Sequence, residues 1–297
     1  MEKIAAVIVT YNRLELLKEC LQAVQEQSKK VYSIVVVNNA STDGTTEFLE
    51  TIDDARLVVK TFDTNRGGAA GFSEGIAIAT RRGADAVWVM DDDTIPQTDA
   101  LEKLAGTMDC QQDAGFVCSK VVWTDGSVHM MNIPGYVSHD ELCAGLYAIR
   151  SASFVSLLVP CKIVRKVGLP YKEFFIWVDD AEYTSRIFKA GFKGYLNNNS
   201  VVLHKTGANY GAGVKVATPD SAWKFYYYMR NSMFASRGER PWIVWFFRHL
   251  NHLRLDMRRT KNMPVEVRGA FKKNLWRGFV DGLTFRPMVD YVSDEDS

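Results

Sequence analysis

The sequence predicts an α/β fold: a mostly parallel central sheet flanked by helices, with a helical extension at the C-terminus. Three features predict it. Apolar β-branched runs alternate with amphipathic stretches through the first hundred residues, the pattern of βαβ units. Each of those runs ends in a polar, turn-rich cluster, as strands do at the carboxyl edge of an open α/β sheet. After about Asp220 the pattern becomes helical and rich in Trp, Phe and Arg.

Taken in order, Ala5–Val9 reads as a buried strand, and Leu14, Leu17, Leu21 and Val24 recur at helical spacing behind the turn at Asn12. Ile34–Val37 is a second strand, followed by the turn Asn38 to Gly44 and a short helix through Phe48 and Leu49. Leu57–Phe62 is a third strand. Asn65-Arg66-Gly67-Gly68 opens a helix of small residues ending at Arg81, where Gly67 to Gly71 would let the backbone approach a ligand closely. Ala86–Met90 is a fourth strand and runs into Asp91-Asp92-Asp93. Beyond Leu101 come a helix, strands at Phe116–Val122 and Phe154–Val159, and an irregular region from Ser127 to Ala144 between them. A helix follows Asp179-Asp180 and stops at Gly191, Val201–Leu203 is a short strand leading to His204, and Gly207 to Gly213 reads as a mobile loop.

Composition narrows the function classes. With 36 Lys plus Arg against 35 Asp plus Glu, the net charge is +1, which argues against a protein that coats nucleic acid. Five cysteines without paired spacing fit free core thiols in a reducing compartment. The N-terminus carries no signal-peptide pattern, and no run of about 18 apolar residues occurs. A cytoplasmic protein is expected.

Asp91-Asp92-Asp93 is the most pointed motif. Alternate residues at a strand end project to one side, so Asp91 and Asp93 suit a hard divalent cation, Mg²⁺ or Mn²⁺, while Asp92 points elsewhere. An acidic turn is the plain alternative. Asn38 to Gly44 offers acceptors for a base or ribose, or is simply a turn. Asn65-Arg66-Gly67-Gly68 is neither a Walker A loop nor GxGxxG, which disfavours a P-loop NTPase. Asp179-Asp180, behind the apolar run Phe174-Phe175-Ile176-Trp177-Val178, has the setting of a carboxylate with raised pKa suited to base catalysis, or of acids at a helix N-terminus. His204 alone is more often structural.

In this order, strand-TYNR, strand-NNASTDG, NRGGAAGF, strand-DDD, FFIWVDDAEYTSRIFKAG and a later His resemble the inverting family 2 glycosyltransferases of GT-A fold, over Ile4 to His204. Within that family the acid pair and the spacing to His204 are most similar to galactofuranosyltransferases and next to rhamnosyltransferases, although Val178 intervenes between Trp177 and the pair. The resemblance implies a metal-dependent transfer of galactofuranose from a UDP-sugar, or of rhamnose from a dTDP-sugar, to a glycan or polyprenyl-diphosphate-linked acceptor. Asp91, Asp93 and His204 would hold Mn²⁺ or Mg²⁺, and Asp180 would be the base. Thr10, Tyr11, Arg13, Asp43 and Asn65 would bind the nucleotide, with Asp92 at the donor ribose or sugar. It divides the chain into a catalytic domain, 1–215, with a nucleotide-sugar half at 1–100 and an acceptor half at 101–215, and an extension, 216–297. A sugar-nucleotide pyrophosphorylase lacks support near the N-terminus, and a non-catalytic sugar-nucleotide-binding shell is disfavoured because all four key residues are present.

The extension is basic and aromatic. From 241 to 286 ten basic residues face three acidic ones, interleaved with Trp242, Trp245, Phe246, Phe247, Trp276 and Phe279. Such helices suit peripheral contact with an anionic membrane, here the inner face of the plasma membrane, or packing as an appendage on the catalytic domain or on a second subunit as a homo-oligomer.

Overall fold

The protein was described from a computed structural model covering residues 1–209, 221–263 and 265–293. The segment from 210 onward in the glycine-rich loop, the boundary at 215/216, Asp220 and the terminal acids 294–296 lie outside the described residues.

Strand β1 (Ile4–Thr10) is buried along its whole length, which is why its sequence is continuously apolar rather than alternating. Ala5, Val7 and Val9 belong to one core cluster while Ile4, Ala6 and Ile8 belong to another. The sheet is therefore covered on both faces. β1 pairs in parallel with β2 (Ser33–Asn38) and β4 (Ala86–Asp91), and β2 with β3 (Leu57–Thr61). Helix α1 (Leu14–Gln25) buries Leu17, Cys20, Leu21 and Val24 on one face of the sheet. α2 (Thr45–Glu50) is short, and α3 (Gly68–Arg81) covers the opposite face.

The small residues of α3 serve this packing. A Cβ at Gly71 would lie 2.5 Å from Val9 Cγ1, and one at Gly75 would collide with Val7. At Gly67, φ is +83° and a Cβ would strike the carbonyl of Phe175. At both Gly67 and Gly71 the close approach expected for a ligand is made by the protein itself.

Beyond β4 the sheet becomes mixed, in the order β3-β2-β1-β4-β9-β6-β10-β8-β7 among the described residues, with β5 (Thr94–Pro96) pairing β10. β6 is Ala114–Val122, β7 Gly135–Cys143, β8 Leu146–Ser151, β9 Leu157–Pro160 and β10 Lys193–His204. Between them stand α4 (Ala100–Cys110), α5 (Cys161–Val167) and α6 (Asp179–Lys189). The region expected to be irregular is a 3₁₀ turn at Met130–Asn132 followed by the β7–β8 hairpin. Its first strand, GYVSHDELC, is largely exposed and so carries no apolar alternation. The strand expected at Phe154–Val159 begins only at Leu157, and the one ending at His204 starts eight residues early, its pattern broken by a register shift between Asn197 and Val201.

The C-terminal helices α7 (Lys224–Ala235), α8 (Trp242–Arg259) and α9 (Val265–Thr284) bury a cluster of their own around Phe225, Met229, Met233, Trp245, Phe271, Leu275 and Phe279. α9 lies close on α7 because Gly278 and Gly282 face it; a Cβ at Gly278 would meet the carbonyl of Tyr226 and, at 3.0 Å, Met229 Cβ. No helix among the described residues is long and apolar enough to cross a membrane. Cys20, Cys118 and Cys161 are buried free thiols, but Cys110 and Cys143 are exposed, so the expectation of core thiols holds for three of the five.

Candidate active site

The carboxyl ends of β1, β2 and β3 are tied together by asparagine side chains. Asn12, at φ 53°, donates its N–H to Ser41 Oγ at 3.0 Å, and its Oδ1 accepts the Thr42 N–H at 2.7 Å. Asn39 Nδ2 donates to Asn65 Oδ1 at 3.0 Å, while Asn39 Oδ1 accepts from the Arg66 N–H at 2.8 Å. Asn65 Oδ1 also takes the Gly67 N–H at 2.9 Å. Asp43 accepts from the Leu14 N–H at 3.0 Å and from the Thr45 hydroxyl at 2.6 Å, closing the start of α1. Desolvation alone would raise its pKa, but the bonds from Thr45 and Leu14 hold it below the usual value. Thr10 is buried in register with Asn38, and Tyr11 is exposed beside it.

The acidic triplet and His204 meet because β5 and β10 pair antiparallel, placing His204 opposite Thr94. One ligand atom each from Asp91, Asp93 and His204 lies within 4.8 Å of the others. Arg13 Nη1 is 2.5 Å from Asp93 Oδ2 and 3.5 Å from Asp92 Oδ1. Asp92 is buried, accepts the Tyr11 N–H at 3.3 Å, and turns toward the first loop. Burial pushes its carboxyl up to about 6, against the pull of Arg13. Desolvation and the charges of Asp93 and Asp92 push Asp91 well above the ordinary carboxylate range. Burial also works against the ionised form of Asp93, but His204, in its protonated form, and Arg13 more than offset it and hold that carboxyl low.

The donor set fits a cation. His204 Nδ1 lies 2.9 Å from Asn132 Oδ1; an amide oxygen only accepts, so in the neutral ring the proton sits on Nδ1. Nε2 then turns a lone pair toward Asp93 Oδ1, 3.0 Å away, and that buried oxygen has no hydrogen-bond donor among the described residues. Two carboxylates and an imidazole lone pair facing one another suit a divalent metal of Mg²⁺ or Mn²⁺ type. The His129 ring lies against His204, centroids 4.6 Å apart and planes tilted by 36°, and bonds Thr206 through Nε2 at 2.8 Å. Burial, and then the neighbouring His204, lowers its pKa to about 4, so it stays neutral.

Asp179 and Asp180 open α6. Asp180 Oδ1 accepts the Ala181 N–H at 2.6 Å, as an acid at a helix N-terminus does. Asp179 is buried and Asp180 half-buried. Desolvation raises both carboxyls above the ordinary range, Asp179 further through the charge of Asp180. The preceding loop is strained: Phe175, Trp177 and Val178 have φ of 65°, 65° and 72°. Non-glycine residues there cost about 1–3 kcal/mol each and concentrate at active sites.

A cavity of about 430 Å³ joins these parts, with Arg13, Asp91, Asp93, His204, Asp179 and Asp180 all in its wall. Thr10, Tyr11, Asp43, Asn65 and Asp92 do not line it; Thr10 ends β1, Tyr11, Asp43 and Asn65 lie in the loops that follow β1, β2 and β3, and Asp92 lies 3.5 Å from Arg13. Asn132 and Trp177 also line it. Asn132 carries no signal in the sequence, because it sits in the segment expected to be irregular, 72 positions from the histidine it bonds.

Residues 5–153, half of the chain, match the family described as Glycosyl transferase family 2. The chain is 27% identical over 255 residues to galactofuranosyltransferase GlfT1 of Mycolicibacterium smegmatis, covering 77% of this chain and 82% of that one. Among solved structures it resembles GalNAc-T7 with UDP, GalNAc and Mn²⁺ at 14% identity and TM-score 0.60, over 81% of this chain. It spans about half of that longer protein, 52%. It also resembles S. aureus TarS 1-349 at 17% identity and TM-score 0.55, over 94% of this chain and 80% of that one. These two likenesses are of fold.

Proposed function

The chain belongs to glycosyl transferase family 2 and is a glycosyltransferase, and from that premise we propose that it transfers galactofuranose from UDP-galactofuranose, with inversion, to a glycan or polyprenyl-diphosphate-linked acceptor. The observation that carries this reading is the meeting of Asp91, Asp93 and His204 with Asp180 in one cavity. Galactofuranose is favoured by the similarity to GlfT1.

Asp91, Asp93 and His204 would hold Mn²⁺ or Mg²⁺, which when bound supplies positive charge against the leaving diphosphate. Arg13, half exposed and paired to Asp93, adds a second positive group on the same side of the cavity. Asn132 keeps His204 in the tautomer that offers Nε2. Asp180 takes the proton from the acceptor hydroxyl, and its raised pKa suits a base working near neutral pH. Thr10, Tyr11, Asp43 and Asn65 shape the nucleotide side, Asp43 and Asn65 chiefly by holding the three loops in register. Asp92 braces Tyr11 and Arg13 toward the donor.

We assign catalysis to 1–215 and acceptor delivery to 216–297. Trp242, Phe247 and Trp276 are exposed, and the rings of Trp242, Phe246, Phe279 and Trp276 form a chain across α8 and α9. With the local basic excess this supports peripheral contact with the anionic inner face of a membrane, where a polyprenyl-linked acceptor resides. The decisive experiment is nucleotide release by the full chain with UDP-galactofuranose, Mn²⁺ and a lipid-linked glycan. UDP release that depends on both metal and acceptor is expected; a preference for dTDP-rhamnose, or absence of transfer with either donor, overturns the reading.

A further inference from the structure

The strained loop before Asp180 is held by two buried residues of α7. Asn231 Nδ2 donates to the carbonyls of Phe174, Ile176 and Trp177 at 3.0, 3.2 and 2.9 Å. Arg230 Nη2 donates to the carbonyl of Glu173 at 2.6 Å and reaches that of Phe174 at 3.4 Å. Arg230 also grips Asn231 Oδ1 through Nε at 3.1 Å and Nη2 at 2.9 Å, which fixes the amide so that its N–H groups, not its oxygen, face the loop. The guanidinium itself packs over the rings of Phe285 at 4.0 Å and Tyr227 at 5.0 Å. From the donor side the Ala69 N–H donates to the Phe175 carbonyl at 3.1 Å.

A β-branched residue at φ 72°, such as Val178, persists only where its surroundings over-determine the backbone. Here the surroundings are this pair. Neither residue lines the cavity, whereas Trp177, Val178, Asp179 and Asp180 all do. We propose that Arg230 and Asn231 are positioning residues for glycosyl transfer: by clamping the carbonyls of residues 173, 174, 176 and 177 they set where α6 begins and so where Asp180 stands in the cavity. The inference rests on Asp180 being the base. It makes α7, which the sequence places in the extension, a working part of the active site.

The test compares the full-length wild type with Asn231→Ala, Asn231→Ala/Val178→Gly and Asp180→Asn, measuring kcat, donor KM and Mn²⁺-dependent UDP affinity. Asn231→Ala should lower kcat by about 100-fold, the scale of an ångström-level misplacement, with donor KM and UDP affinity near wild type. Glycine at 178 adopts a positive φ without the Cβ penalty, so the double variant should recover about tenfold of that loss. Purely structural packing would not be rescued in this way. If Asn231→Ala does not fold, Arg230→Lys, which keeps the charge but loses the fork, should show a loss on the order of 10-fold in kcat with the same unchanged KM. Folded variants with wild-type kcat, losses confined to donor affinity, or no recovery in the double variant overturn the clamp. A normally active Asp180→Asn removes the base assignment instead; an inactive one beside a fully active Asn231→Ala removes only the positioning role.

Discussion

Two regions converge on the cavity and hold their acids by different means. At the first edge, Asp91 to Asp93 project from the end of a buried parallel strand, and neighbouring loops are stitched by short side chains such as Asn12, Asn39 and Asn65. At the second edge, Asp179 and Asp180 follow a strained loop whose carbonyls are bonded by Asn231, 55 positions away from Ile176. The first edge is a by-product of the sheet, whereas the second is bonded to α7. A change within the helical extension should therefore damage chemistry while leaving donor binding intact.

The sharpest way to break that contrast is Asp180→Asn. Loss of a general base lowers kcat by about 10²–10⁴-fold, and UDP binding with Mn²⁺, measured calorimetrically, should be nearly unchanged. Asn132→Ala tests the other edge. Without the bond to Nδ1, His204 is free to change tautomer and orientation, and Mn²⁺ affinity should fall by about 10–100-fold while the metal-saturated rate recovers. Gly278→Ala perturbs the docking of α9 on α7 and should destabilise the fold by about 1–3 kcal/mol, read from denaturant melts.

The smallest effect is on pH dependence. Asp92 has a folded pKa of about 6, above the ordinary carboxylate value, and Asp91 and Asp179 are raised in the same direction. At these three carboxyls the native state therefore holds more protons than the unfolded chain, and the stability they contribute falls as pH rises from about 4 through 6 and beyond. The melting temperature of the metal-free protein should drop by on the order of 5 °C over that range. Mn²⁺ should remove much of the drop by neutralising the carboxylates. With Asp180 as the proposed base, the transfer rate should have the opposite sign, falling as pH drops through the raised pKa of Asp180, because a base must be ionised to act.

Legibility followed the same divide. β1 to β4 and their loops were readable because each strand is buried on both faces and each polar cluster sits at its end. The acid triplet and Asp179-Asp180 stood out as carboxylates set against apolar runs. Asn132 and His129 did not, since they occur in a largely exposed stretch with no period, and their importance comes from the histidine they meet across the sheet. Asp43 reads as a ligand for a nucleotide, yet its oxygens are already engaged by Leu14 and Thr45.

Local periodicity and the chemistry of short motifs, both properties of neighbouring residues, were enough to predict the α/β class and to point to the acids that line the cavity of the candidate site. Tertiary structure alone decided which distant partners complete it. Antiparallel pairing of β5 with β10 brings His204 to Asp93, and docking of α7 brings Arg230 and Asn231 to the loop before Asp180. A strained backbone and a histidine tautomer are set by hydrogen bonds between residues far apart in the chain, and such bonds leave no periodic trace in sequence.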